Sequence, residues 1–271
     1  MGNEDYKSLS LDLIFDLSCL KYARRKKMRI ECVFKGNRIP VSYQYLFASI
    51  IKGAIENSSE EKFNEIYFFG DKKTKQSKNF CFSIFMKDFE MIKDDFEIKG
   101  EIKLIVSSPD SELMLYIYNG MLAKKEVTYK GYELILQRVN LLKEQLPTKF
   151  EALFKTLSPI AVKGKNGAFI DLGDEEYNDA LAYISNEMIR GYRGYGLKTP
   201  LEFIPIGMKK QVVKLRHEEF ETLNEEQILY VNAYRGTFRL KGDPEDLALI
   251  AQLGLGFRRS SGFGNVQLVE G

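Results

Sequence analysis

The sequence lacks several residue types on which common functional sites depend. It has no tryptophan and a single histidine, His217. Its three cysteines, Cys19, Cys32 and Cys81, are odd in number and far apart. They fit neither a disulfide framework nor a zinc site, and they indicate a reducing cytoplasm. No apolar run approaches the roughly 20 residues that span a bilayer, and the polar residues 1–7 do not predict a secretory signal.

The charge of the chain is almost balanced, with 40 Lys and Arg against 38 Asp and Glu and a net charge of +2. The net charge therefore does not indicate a polyanionic partner, and a nucleic-acid site would depend on local clusters of basic residues. One cluster is residues 21–27, with five basic residues in seven, at the end of an amphipathic helix predicted over residues 8–27. It is either a solvated helix end favoured by the helix dipole or a basic arm.

From residue 28 onward the hydrophobic periodicity predicts the same order of elements twice. The first set has strands over Met28–Lys35, Asn79–Met86, Glu101–Ser107 and Val127–Val139, and helices over Tyr43–Asn57 and Pro109–Ala123. The second has strands over Phe150–Val162, Ile206–Arg216, Leu229–Leu240 and Asn265–Val269, and helices over Asp174–Arg190 and Asp243–Gly254. We expect an α+β fold of two tandem ferredoxin-like (βαββαβ) domains, residues 28–147 and 148–271, after a helical extension over residues 1–27. Ser42 is the expected N-cap of the helix Tyr43–Asn57.

The glycine-rich segment before the last strand is the most informative stretch. Its candidate ligand-binding residues are Gly254, Gly256, Arg258, Arg259, Ser260, Ser261, Gly262 and Gly264. Glycine allows positive φ and close approach of a ligand, exposed amides can bind an anion, and arginine suits phosphate. A dinucleotide-binding turn or a P-loop would precede a helix, whereas this segment follows one. It is either an anion-binding loop or a structural loop with solvated arginines.

This loop, Gly254-x-Gly256 followed by Gly262-Phe-Gly-x-Val266, resembles the RAMP superfamily. Within it, the chain is most similar to the CRISPR-associated repeat-RNA endoribonucleases, the sixth Cas family. Three further stretches carry the resemblance in family order. They are Met28-Arg-Ile with Ile39-Pro-Val-Ser-Tyr-Gln-Tyr45, the aromatic strand Asn79-Phe-Cys-Phe-Ser-Ile-Phe85, and Thr156-Leu-Ser-Pro-Ile-Ala-Val162.

The resemblance implies a metal-independent endoribonuclease without a cofactor. Such an enzyme binds precursor CRISPR RNA and cuts it within the repeat. The 2′-hydroxyl attacks the adjacent phosphate and leaves a cyclic phosphate and a 5′-hydroxyl. This chemistry calls for a base, an acid and a cation on the phosphorane. The implied protein is cytoplasmic, a monomer or a homodimer, with no membrane contact.

The chain departs from the family because it has no histidine in or just after the first helix, and none before His217. The resemblance places Lys52 near the catalytic position, with Tyr45 and Ser49 on the same helix face. Lysine is a good stabiliser of phosphate charge but a poor base at neutral pH unless its pKa is lowered. The plainer alternative is that Lys52 is a solvated helix residue and that Tyr45 packs against the helix or caps it. His217 reads as a surface residue at a strand end.

Further lysines are candidates for RNA contact because they lie in loops beside the implied cleft. They are Lys72, Lys73, Lys75 and Lys78 in a hairpin-like segment, and Lys163 and Lys165 after the strand that opens the second domain. Solvated turns are the alternative interpretation.

Two other functions stay open. The missing histidine favours a non-cleaving repeat-RNA binder or a structural subunit that contacts other proteins of a CRISPR effector complex. An unrelated RNA-recognition module is disfavoured by the position of the glycine loop at the end of the fold.

Overall fold

The computed structural model of the chain describes residues 28–69, 72–73, 77–216 and 228–271. The predicted helical extension over residues 1–27, Lys75 and His217 lie outside the described residues. Among the residues described, no helix is long and apolar enough to cross a membrane.

The elements are numbered in chain order. They are β1 Met28–Lys35, β2 Arg38–Pro40, α1 Tyr43–Ser58, α2 Glu60–Tyr67, β3 Phe68–Phe69, β4 Lys72–Lys73, β5 Cys81–Met86, β6 Phe89–Ile92, β7 Asp95–Ile98, β8 Ile102–Ser107, α3 Ser111–Ala123, β9 Glu126–Tyr129, β10 Tyr132–Lys143, β11 Glu151–Thr156, α4 Tyr177–Arg193, β12 Glu202–Arg216, β13 Ile228–Lys241, α5 Pro244–Leu253, the 3₁₀ turn η1 Arg259–Ser261, and β14 Val266–Glu270.

The first half of the chain forms an antiparallel sheet in the order β5-β8-β1-β10-β9, with α1 and α3 packed on it. Ile30, Cys32 and Phe34 alternate along β1 and are buried in this core, as a strand with one face under helices should be. The two helices approach closely at Gly120, where an added Cβ would lie 1.8 Å from the carbonyl oxygen of Ala54. Only glycine fits that crossing.

The second half forms an antiparallel sheet in the order β12-β13-β11-β14, and α4 and α5 cover its core. Helix α5 begins as the sequence predicts: the Asp243 carboxylate accepts a hydrogen bond from the Glu245 amide at 2.9 Å, and Pro244 occupies the first turn. The two halves have the same strand order when the long strands are counted within each half. In both, the second strand lies beside the third, the third beside the first, and the first beside the fourth. The mixed α+β fold is confirmed.

Several local predictions need correction. The strand predicted over Val127–Val139 is a hairpin, because Lys130 and Gly131 adopt positive φ angles of 47° and 83° and turn the chain between β9 and β10. The predicted strand Phe150–Val162 ends at Thr156. Helix α2 and the β6–β7 hairpin were not predicted.

Ser42 stands at the start of α1 but does not cap it through its side chain. Its hydroxyl oxygen instead accepts a hydrogen bond from the Arg216 amide at 2.8 Å and lies 3.4 Å from the Lys214 carbonyl oxygen. The hydroxyl therefore ties the first helix to the end of β12 in the second half of the chain.

Candidate RNA interface

The glycine-rich loop packs between the two halves of the chain. Gly264 has φ +64°, and a Cβ there would lie 1.9 Å from the Leu255 carbonyl oxygen. The amides of Leu255, Phe257 and Gly264 donate to the carbonyls of Gly264, Ala161 and Pro159. These glycines and amides therefore close the loop on itself and on its neighbours.

Four loop residues that the sequence predicts to contact RNA are poorly placed for direct contact with a ligand. Gly254, Gly256, Arg259 and Gly264 are buried. The Arg259 guanidinium donates to the Leu253 carbonyl at 2.5 Å and to the Ser77 hydroxyl. This arginine therefore joins the loop to the segment before β5, and a buried, paired side chain cannot reach RNA in this conformation.

Arg258, Ser260, Ser261 and Gly262 occupy the accessible part of the loop. Arg258 has a left-handed backbone, φ 58°, and its guanidinium lies 6.0 Å from the centre of the Phe257 ring. Its Nε is shielded and has no hydrogen-bond partner among the described residues. The residue as a whole is only partly buried, so a phosphate contact would use the accessible part of its planar guanidinium.

Lys163 connects the glycine-rich loop to the segment that follows β11 through contacts with two aromatic rings. Its ammonium nitrogen lies 4.7 Å from the ring centre of Phe257 and 5.3 Å from that of Phe169, and the two rings meet edge to face at 6.2 Å. With Arg258, these residues form a cluster of cations and aromatic rings of the kind that binds single-stranded nucleic acid. Lys165 is exposed in the adjoining turn.

A second cationic cluster lies on the first half. The Lys52 ammonium is 5.3 Å from the ring centre of Phe63 and 5.7 Å from that of Tyr67. The Lys78 ammonium is 4.9 Å from the same Tyr67 ring. The ammonium groups of both lysines therefore lie near the ring of Tyr67. Lys78 directly follows Ser77, the residue that Arg259 holds, so the two lysines and the glycine-rich loop meet at this segment.

Burial shifts the pKa of two members of this cluster, Lys78 and Tyr67. Partial burial lowers the pKa of Lys78 from its usual value, because desolvation disfavours the ammonium form. Burial raises the pKa of the Tyr67 phenol, so this tyrosine stays protonated near neutral pH. The cluster can thus supply one amine whose proton is held less firmly than usual.

The three residues proposed on one face of α1 lie apart. Lys52 turns towards the rings of α2, Ser49 is exposed, and Tyr45 lines a cavity at the start of the helix. Of the hairpin-like lysines, Lys72 and Lys73 form β4, which pairs with β3.

Sequence reasoning missed Tyr67 because helix α2 was not predicted. It also missed the aromatic and basic lining of the cavity beside Tyr45. A signal existed there: Lys214 and Arg216 are two apart on a strand, so they point to the same side. Gly131, inside an otherwise alternating strand pattern, is likewise a sign that the strand is interrupted.

The chain is similar to known proteins over most of its length. A family model described as CRISPR associated protein Cas6, C-terminal, matches residues 142–268. The CRISPR-associated endoribonuclease Cas6 1 of Methanocaldococcus jannaschii is 26% identical over 260 residues, which cover 91% of this chain and 94% of that relative. The CRISPR-associated endoribonuclease Cas6 of Pyrococcus furiosus is 27% identical over 244 residues, which cover 86% and 84%.

The fold is also that of solved structures. One described as an RAMP protein binding different RNA substrates has a TM-score of 0.72 and 20% identity, covering 90% of this chain and all of that one. At this identity the likeness concerns the fold.

Proposed function

We propose that the chain is a member of the Cas6 family of CRISPR-associated proteins, and that it binds precursor CRISPR RNA and cuts it within the repeat, without a metal ion. The observation that carries the proposal is the pair Lys52 and Lys78 over the Tyr67 ring, next to the glycine-rich loop. Relatives that match most of the chain are endoribonucleases. The protein would act in the cytoplasm, as a monomer or a homodimer.

In the proposed reaction, the 2′-hydroxyl oxygen attacks the adjacent phosphorus and the bond to the 5′-oxygen breaks. A base takes the hydroxyl proton, a water molecule protonates the leaving 5′-oxygen, and a cyclic phosphate remains. The Lys52 side chain stabilises the charge of the phosphorane. Lys78, whose pKa burial lowers, takes the proton that a histidine would otherwise take. Ser49, exposed on α1, and Tyr45, at the cavity near the start of the helix, position the RNA.

RNA contact would come from the accessible residues of both clusters. Arg258, Lys163 and the exposed Lys165 would face the phosphates, and Phe257 and Phe169 would offer faces or edges to bases. Ser260, Ser261 and Gly262 would add polar contacts from the accessible part of the loop. Lys72 and Lys73, in β4, would be further RNA contacts.

We also propose that the two halves are ferredoxin-like domains divided near residue 147. The shared strand order supports this division, as do the separate apolar cores that α1 and α3 cover in one half and α4 and α5 in the other.

A labelled repeat RNA incubated with the protein in excess chelator tests the function. We expect cleavage at one position and a product that ends in a cyclic phosphate. Activity that is lost in chelator and returns with magnesium would contradict metal independence.

Helix α1 holds no histidine, and this observation favours a second candidate, a repeat-RNA binder that does not cut. It would give tight, salt-dependent binding of the same RNA with no product. The cleavage assay and a filter-binding assay on one preparation separate the two functions.

A further inference from the structure

A cavity of about 390 Å³ lies between the two halves of the chain, at the start of α1. Its lining includes three tyrosines and three cations: Tyr45, Tyr129, Tyr132, Lys130, Lys214 and Arg216. Its volume is within the range of small-ligand sites, at their lower end. None of these residues belongs to the two cationic clusters described above, and only Tyr45 is a candidate site residue from the sequence.

Hydrogen bonds and ion pairs hold the walls of the cavity in place. The Ser42 hydroxyl accepts from the Arg216 amide at 2.8 Å, which fixes the end of β12 against α1. The Tyr132 phenol donates to Asp95 at 2.6 Å, and Arg38 lies 5.4 Å from the centre of its ring. The Ser42–Arg216 contact joins the two halves, whereas the contacts of Tyr132 lie within the first half, so the cavity needs both halves in place.

The charge of the lining is positive in spite of one carboxylate. Asp94 lies 3.4 Å from the Arg216 guanidinium and 3.7 Å from the Lys214 ammonium. All three side chains are well exposed, and pairs of this kind are weak and exchange readily. Asp94 therefore orients the two cations at the rim, and Lys130 adds a third positive charge.

We propose that this cavity binds one unpaired nucleotide of the RNA, with its base against the tyrosine rings and its phosphate at the three cations. This inference rests on the proposed function. Aromatic faces beside cations are how proteins hold single-stranded bases. Tyr45 precedes Lys52 by seven residues on α1, about 10 Å along the helix axis. One RNA strand can therefore reach both, and the cavity selects a base near the cut.

An abasic scan of the repeat RNA tests the cavity. With the wild-type protein, removing one particular base should weaken binding roughly tenfold, the scale of a lost aromatic stack. In Tyr129→Ala the same abasic RNA should bind as tightly as intact RNA. Tyr183→Ala is the matched control, because Tyr183 is exposed on α4 outside the cavity, and it should keep the tenfold penalty. An equal penalty in Tyr129→Ala would overturn the proposal.

A second variant covers the case in which Tyr129→Ala does not fold. Arg216→Gln changes an exposed side chain and should lower the salt dependence of binding by about 0.7 in log–log slope. Arg239→Gln, on the neighbouring strand β13 and paired with Glu151, should leave the slope unchanged. Equal slopes in the two variants would also refute the cavity. A wild-type protein that binds no repeat RNA would instead refute the proposed function, and this inference with it.

Discussion

Arg29 and Glu144 form a buried ion pair in which Arg29 Nε lies 2.6 Å from Glu144 Oε1. The same guanidinium donates to the carbonyls of Ala251 at 3.0 Å and Val266 at 2.5 Å. One side chain of β1 thus connects the first sheet to α5 and β14 of the second half. The relative placement of the lysine cluster, the glycine-rich loop and the cavity depends on this junction.

Arg29→Ala should therefore lower the free energy of unfolding by about 3–5 kcal/mol, since it leaves Glu144 charged and buried without its partner. Urea denaturation measures the change. Arg138→Ala is the control, because its pair with Glu101 is exposed, and it should have little effect. If the two variants lose the same stability, the Arg29 junction is not important for the fold.

Lys52→Ala should slow cleavage by about 100-fold, the cost of losing one stabilising donor at a developing charge. RNA affinity should change little, because the benefit arises in the transition state. Single-turnover rates with saturating protein measure this. Lys124→Ala, an exposed lysine at the end of α3, and His217→Ala should both cut at the wild-type rate. A dead His217→Ala variant with a normal Lys52→Ala variant would reverse the assignment.

The rate of cleavage should rise with pH and level off at the pKa of Lys78, if its neutral amine is the base. Burial lowers that pKa, so the plateau should come at a lower pH than for an ordinary lysine. Lys78→Ala should cut slowly and lose this rise. A wild-type rate that falls as pH increases over the same range would mean that Lys78 acts as an ammonium.

The sequence was sufficient for the periodic elements and insufficient for contacts between the halves. β1 and α5 begin where alternation and capping residues predict them. Tyr129 and Tyr132 were merged into one strand because alternation hid the positive φ of Lys130. Ser42 looks like an N-cap in any sequence window, but its true partner, the Arg216 amide, is 174 residues away. Distant pairings of this kind cannot be read from local spacing.

The same limit applies to the two arginines of the glycine-rich loop, which are adjacent in sequence and opposite in environment. Local chemistry assigns both to phosphate. The structure buries Arg259 against Leu253 and Ser77 and leaves Arg258 partly accessible beside Phe257. Their separate substitution therefore distinguishes a binding residue from a structural one.

Arg258→Ala should weaken RNA binding. It should also reduce the slope of log affinity against log salt concentration by about 0.7, the counterion release associated with one phosphate contact on a single strand. Its thermal unfolding should stay close to wild type. Arg259→Ala should unfold at a lower temperature, because the Leu253 carbonyl and the loop lose a buried donor, and any loss of RNA affinity should follow the loss of folded protein. Binding titrations at several salt concentrations, each matched with a melting curve, separate the two effects. A folded Arg259→Ala variant with a reduced salt slope would place that arginine in contact with RNA after all.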